Sequence, residues 1–270
     1  AVVAPRTHLT RQVVTLLLQQ PSDGVQQGRL ASTRRPCDKH PCASRQVEVD
    51  GPEDGSVAAR DADLDRDWRL VSEPGDFAAT VSAACFGTLS MVLEPGASVY
   101  ELVMRRAHDA GRLVALDPNI RPSVIDEPDV YRRRFLDWVP MIDVLKLSDE
   151  DVDWLGDGAD GSSVDDWLRE GAGAVVITHG ADGISVRTRE FTVLAQAPET
   201  TVVDTIGAGD SVLGGLLHFF DESGDLSASA VRSRDADYWL RAADYAARVA
   251  AVTVSRPGAD PPWASELDAP

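Results

Sequence analysis

From about Val81 onward, short apolar or β-branched runs alternate with stretches of helical period, and this alternation restricts the fold more than any other feature of the chain. Residues 81–86, 113–116, 142–145 and 174–177 each read as a short buried strand. Residues 97–110 place Val99, Leu102, Val103 and Ala107 at helical spacing. Ser148 is positioned to cap the next helix, with Asp151 at the reciprocal place of a capping box. Gly180 and Gly183 mark a turn, and residues 184–187 and 191–194 suit a hairpin. Leu213, Leu216, Leu217 and Phe220 share one face of a predicted helix over 211–220, and 238–254 is an Ala-rich helix fit for close packing. The predicted class is α/β, with a mainly parallel sheet covered on both faces. Such sheets bind ligands at the carboxyl ends of their strands.

The first 75 or so residues do not follow this pattern. Pro36, Pro41 and Pro52 interrupt any period, and residues 61–67 form a solvated charge run. Residues 46–49 are at most an edge strand, and no βα unit is legible before Val81. The triple Cys37, His40 and Cys42 lacks a nearby fourth ligand and zinc-finger spacing, so it is not read as a metal site.

The formal charge of -18 argues against nucleic acid or an anionic membrane surface as a partner, since both favour basic patches. Of 26 basic residues only Lys39 and Lys146 are lysines. Three cysteines without a framework fit a reducing cytoplasm. No apolar run approaches the ~20 residues of a membrane span, and the run 13–18 is followed by no small-residue cleavage site, so no signal peptide is expected.

Four polar constellations fall at predicted strand ends. The densest is Asp204-Thr205-Ile206-Gly207-Ala208-Gly209-Asp210, read as a strand over 200–203 feeding a glycine turn that opens a helix. Glycines bring bare N–H groups together, and the first N–H groups of a helix favour an anion. Asp210 beside that anion hole is a candidate base. The second is Asp117-Pro118-Asn119-Ile120-Arg121-Pro122, where polar groups at alternate positions share a face in an extended segment and Arg121 can pair with a phosphate or carboxylate. The third is Lys146-Leu147-Ser148-Asp149-Glu150-Asp151 and the fourth Thr178-His179-Gly180-Ala181-Asp182-Gly183. A nicotinamide dinucleotide site is disfavoured because Val212 stands where its third glycine belongs. A P-loop is excluded, since neither lysine follows a glycine-rich loop.

Together with Phe86-Gly87-Thr88-Leu89-Ser90, Glu94-Pro95-Gly96 and Arg256-Pro257-Gly258-Ala259, these stretches make residues 81–270 resemble the ribokinase-type (PfkB) carbohydrate kinases, fructokinase-like branch. The resemblance implies a three-layer α/β ribokinase-like fold and a cytoplasmic enzyme that moves the γ-phosphoryl of ATP to a sugar hydroxyl. It implies Asp210 as catalytic base and Gly207, Ala208 and Gly209 as anion hole. Asp117, Asn119 and Arg121 would lie on the substrate and phosphate side, and Lys146, Ser148, Thr178, Gly180 and Gly183 on the nucleotide side. Asp151 would reach Mg2+ through water, and Asp204 with the carbonyl of Ile206 would hold K+.

Two family features are missing from the sequence: an opening strand that ends in a sugar-binding Asp, and a Gly-Gly-x-x-x-Asn segment. Residues 34–68 read as a diverged segment or as chain translated in another frame. Residues 1–75 are therefore expected to be an atypical or truncated segment in place of the sugar-binding β lid, the lid being incomplete or absent. Residues 76–270 are expected to form the nucleotide-binding and catalytic domain. Homodimers in this family often form through the lid. The alternative is a truncated or inactive homologue that binds nucleotide without turnover.

Overall fold

The computed structural model describes residues 12–15, 77, 80–158 and 161–267. The sequence-based expectations for 46–49, for Cys37, His40 and Cys42, and for the lid fall outside these residues.

A seven-stranded sheet runs in sequence order, from β1 (Gln12–Thr15) through β2 (Val81–Gly87), β3 (Leu113–Asp117), β4 (Val144–Ser148), β5 (Ala174–Thr178) and β6 (Ile184–Arg187) to β7 (Thr192–Ala195). The first five strands are parallel, and β6 and β7 close the edge as an antiparallel hairpin. β1 comes from the segment that the sequence set apart, yet it pairs with β2 in the same sheet.

Period-2 alternation sends the strand side chains into two separate cores. Val114, Leu116, Leu145, Leu147, Val175 and Ile177 point to one face. There they meet α1 (Gly96–Asp109), α2 (Pro128–Trp138) and α4 (Val164–Glu170) through Met104, Phe135, Trp138 and Trp167. Leu113, Ala115, Val144, Ala174 and Val176 point to the other face, covered by α5 (Ala208–Glu222) and α7 (Ala236–Val254). The result is the expected three-layer α/β sandwich.

Asp117 continues the set Leu113 and Ala115, and Lys146 continues from Val144. Both therefore lie on the α5 side of the sheet. Helices α5 and α7 pack closely because they present small residues: a Cβ on Gly215 would lie 3.0 Å from the Ala246 Cα.

Of the remaining helices, α3 (Asp149–Gly156) carries the predicted capping box between Ser148 and Asp151. The short helices α6 (Ala228–Arg232) and α8 (Ala264–Leu267) complete the chain. Strand β4 starts two residues later than predicted. The backbone N–H of Asp143 reaches Val114 O, while its carboxylate accepts the Val114 amide (2.8 Å) and pairs with Arg232 (2.5 Å).

One predicted element is absent: residues 200–203 are not a strand. Val202 and Val203 are more than half exposed. The amides of Val203 and Asp204 donate to the carbonyl of Val254 at the end of α7, not to a neighbouring strand. The glycine turn thus follows a loop anchored to α7. No helix among the described residues is long and apolar enough to cross a membrane.

Candidate active site

Three of the four constellations follow the carboxyl ends of β3, β4 and β5, and the N-terminus of α5 comes to the same rim. Gly207 caps α5 in the left-handed region (φ 78), and a Cβ there would lie 2.8 Å from that of Ala259. The turn therefore needs glycine for conformation and for space. The Ala208 amide donates to Thr205 O at 3.2 Å, and the Ser211 amide to Gly207 O at 2.9 Å. Those of Gly207, Gly209 and Asp210 have no acceptor among the described residues. Of the amides expected to form the anion hole, those of Gly207 and Gly209 are free and that of Ala208 is occupied, while the Asp210 amide is free beside them. The carboxylate of Asp210 is exposed at the mouth of the helix and has no hydrogen-bond partner among the described residues. It is open to a proton on an approaching hydroxyl.

After β3 the chain turns at Asn119, which takes φ 44, a left-handed conformation that Asn tolerates better than most residues. The segment is not extended as predicted, yet the two polar groups meet. Arg121 Nη1 donates to Asn119 Oδ1 at 2.7 Å and to the carbonyls of Asn119 and Ile120. The other edge of this exposed guanidinium remains available for a planar anion.

Asp151 explains why this arm stays in place. Its Oδ1 accepts the Ile120 amide at 2.8 Å, and its Oδ2 accepts the Ser148 amide and hydroxyl, each at 2.9 Å. Asp151 is buried. Both of its oxygens serve backbone and cap, and its expected reach to magnesium would run through water from the same carboxylate. Replacing it with Ala removes an N-cap partner and leaves the buried Ile120 amide unpaired. The expected loss is about 2–4 kcal/mol of unfolding free energy, measured by urea titration.

Asp204 is held differently. The amides of Ile206 (3.0 Å) and Gly258 (2.8 Å) hold its carboxyl below the usual carboxylate range. It is an ionised group beside the turn, and Ile206 next to it is exposed.

Lys146 is turned inward. Its ammonium lies 2.9 Å from Asp117 Oδ2, and both side chains are buried. An ion pair across adjacent strands draws this expected nucleotide contact to the α5 face. Burial pushes the Asp117 carboxyl above its ordinary value against the pull of Lys146, and the nearby charges of Asp151 and Asp210 push the same way. Ser148 and Thr178 end adjacent strands in register. His179 then bridges Asp149 and Ser185, each at 2.7 Å, across the mouth of β4, β5 and β6. Gly180 (φ 56) has open space around its Cα, whereas Gly183 (φ 102) packs on the carbonyl of Ala195.

A cavity of about 530 Å³ among the described residues is not this site. It is lined by Asp153, Asp157, Asp165 and Arg187 at the amino-terminal end of the parallel strands. The free amides and the free carboxylate lie instead at the other end, where Asp117, Lys146 and Gly209 meet.

The family model described as pfkB family carbohydrate kinase matches residues 38–266, starting well before Val81, where the sequence resemblance was placed. A fructokinase of Rhizobium leguminosarum bv. trifolii is 37% identical over 161 residues, which are 59% of this chain and 49% of the relative. Fructokinase-2 of Zea mays is 34% identical over 134 residues, 49% of this chain and 40% of the relative. The chain thus spans about half or less of the length of these curated relatives. The fold is similar to that of a Xylella fastidiosa fructokinase with bound ATP (TM-score 0.65, 27% identity, covering 70% of this chain and 60% of that one). It is also similar to an aminoimidazole riboside kinase from Salmonella enterica, solved with aminoimidazole riboside and an ATP analogue (TM-score 0.59, 25% identity, 69% and 61% covered).

Proposed function

Because the chain belongs to the pfkB family of carbohydrate kinases, with 38–266 matched, we propose that it transfers the γ-phosphoryl of ATP to a sugar hydroxyl, with fructose as the first candidate acceptor. The observation that carries this reading is the mouth of α5, where unpaired amides of Gly207, Gly209 and Asp210 stand beside the unpartnered carboxylate of Asp210.

Phosphoryl transfer needs positioning and charge stabilisation more than covalent chemistry. The amides and the helix dipole hold the oxygens of the transferred group where charge gathers. Asp210 takes the proton of the sugar hydroxyl as that oxygen attacks phosphorus and the ADP oxygen leaves. Arg121, braced by Asn119 and through Ile120 by Asp151, turns its free edge to the phosphates. Ser148, Thr178, Gly180 and Gly183 border the nucleotide on the next two strands. Magnesium would be held with the nucleotide beside Ser148 and, through water, Asp151, and would neutralise phosphate charge. Potassium beside Asp204 and Ile206 would add positive charge behind the turn.

A coupled assay of ATP consumption across ketohexoses, nucleosides and 2-keto-3-deoxysugar acids tests the reading. The expected result is acceptor-dependent ADP release, highest with fructose. ATP binding with no turnover on any acceptor would overturn it and favour a nucleotide-binding homologue.

A further inference from the structure

We infer that the buried Lys146–Asp117 pair positions and polarises the anion hole from below, through Gly209. The inference rests on the proposed phosphoryl transfer and adds a residue pair to it. Lys146 and Asp117 lie on neighbouring parallel strands, on the face covered by α5, with Nζ 2.9 Å from Oδ2. A Cβ built on Gly209 would lie 2.6 Å from Nζ, so the ammonium packs directly against that Cα at the first turn of α5. The positive end of the pair therefore faces the turn whose outer side carries the free amides.

Two observations argue that the pair is not there for stability alone. A buried ion pair is weak evidence for stability, since its desolvation offsets much of its attraction. This one is also incompletely satisfied: Asp117 Oδ1 is buried without a hydrogen-bond partner. Such a group beside a core dominated by apolar side chains calls for a reason at the site. A cation fixed under the amides reinforces the helix dipole where a phosphoryl group gathers charge, with no reorganisation during transfer. Lys146 is buried and acts here through Gly209. It is a positioning residue.

Lys146→Met alone would leave Asp117 buried without a counter-charge and destabilise the fold, so the test uses K146M/D117N. Gly209→Ala serves as a second probe that displaces the ammonium without removing it. Three quantities are read on each: thermal melting, the ratio of dissociation constants for ADP and for the β,γ-imido analogue of ATP, and kcat with KM for the sugar. K146M/D117N is expected to melt with the wild type. Its preference for the analogue over ADP should fall about tenfold, and kcat about 10- to 100-fold with little change in the sugar KM, less than the loss of a direct oxyanion donor. Gly209→Ala should lose the same preference. A double variant that keeps both the wild-type preference and the wild-type kcat overturns the inference. If the wild type turns over no sugar, the proposed function fails, and the nucleotide preference alone decides the inference: kept in the variants, it is wrong; lost, it stands.

Discussion

In Asp210→Asn, acceptor-dependent ATP consumption is expected to fall by about 10²–10⁴-fold, the usual contribution of a positioned general base. The nucleotide dissociation constant and the melting temperature should change little. The reason is the unusual freedom of this carboxylate. It stands exposed at the third position of α5 and accepts no hydrogen bond from any described residue. Its removal therefore costs only the interaction of a charge with the helix terminus, roughly 0.3–1 kcal/mol. Asn keeps the size and leaves the backbone amides in place, so the anion hole survives while the proton acceptor is lost. Asp151→Asn would behave in the opposite way, since its oxygens hold Ser148 and Ile120: stability falls before chemistry does. A kcat for Asp210→Asn within tenfold of the wild type would remove Asp210 from the role of base.

This contrast also shows what sequence could and could not disclose. Asp210 and Asp151 are both acidic residues in the first turn of a helix, and in sequence their local patterns are alike. What separates them is whether another segment arrives to use the carboxylate, and Ile120 lies 31 residues away from Asp151. The strands buried on both faces were legible because their apolar runs are local, as were the capping box at Ser148 and the hairpin after Gly183. Helix α2 left a signal that went unread: Tyr131, Phe135 and Trp138 at i, i+4 and i+7 behind Pro128 at the first helical position. Thr200-Thr201-Val202-Val203 has strand composition but no strand partner. Pairing is a tertiary property, and the carbonyl of Val254 takes its amides instead. The Lys146–Asp117 pair was hidden for a related reason. Each residue reads as a polar end to a buried strand, and only the parallel register of β3 and β4 puts them together.

Gly87→Ala is expected to destabilise the protein by about 2–4 kcal/mol, a large effect for one methyl group. Gly87 ends β2 beside the end of β3 in a parallel register that pairs it with Asp117. Its backbone is extended (φ 165), so conformation alone would admit any residue. Space is what forbids it. A Cβ would lie 2.1 Å from the Asp117 carbonyl oxygen and 3.1 Å from its carbonyl carbon. Both are backbone atoms of a central strand and cannot rotate away as a side-chain tip can. The strand ends must part by about an ångström to reach ordinary contact, against the close packing of a core on both faces. That movement carries Asp117 away from Lys146 and shifts the arm from Asn119 to Arg121 that begins two residues later. Activity should therefore fall even in the molecules that remain folded. Gly156→Ala is the matched control. It lies at the end of α3 with only the Ser162 carbonyl near, at 3.4 Å, so the methyl fits and the gain in helix propensity makes the change neutral or stabilising by about 0.5–1 kcal/mol. Urea unfolding of the two variants side by side decides the matter. Equal midpoints for Gly87→Ala and the wild type would mean that β2 and β3 do not approach as closely as this geometry requires.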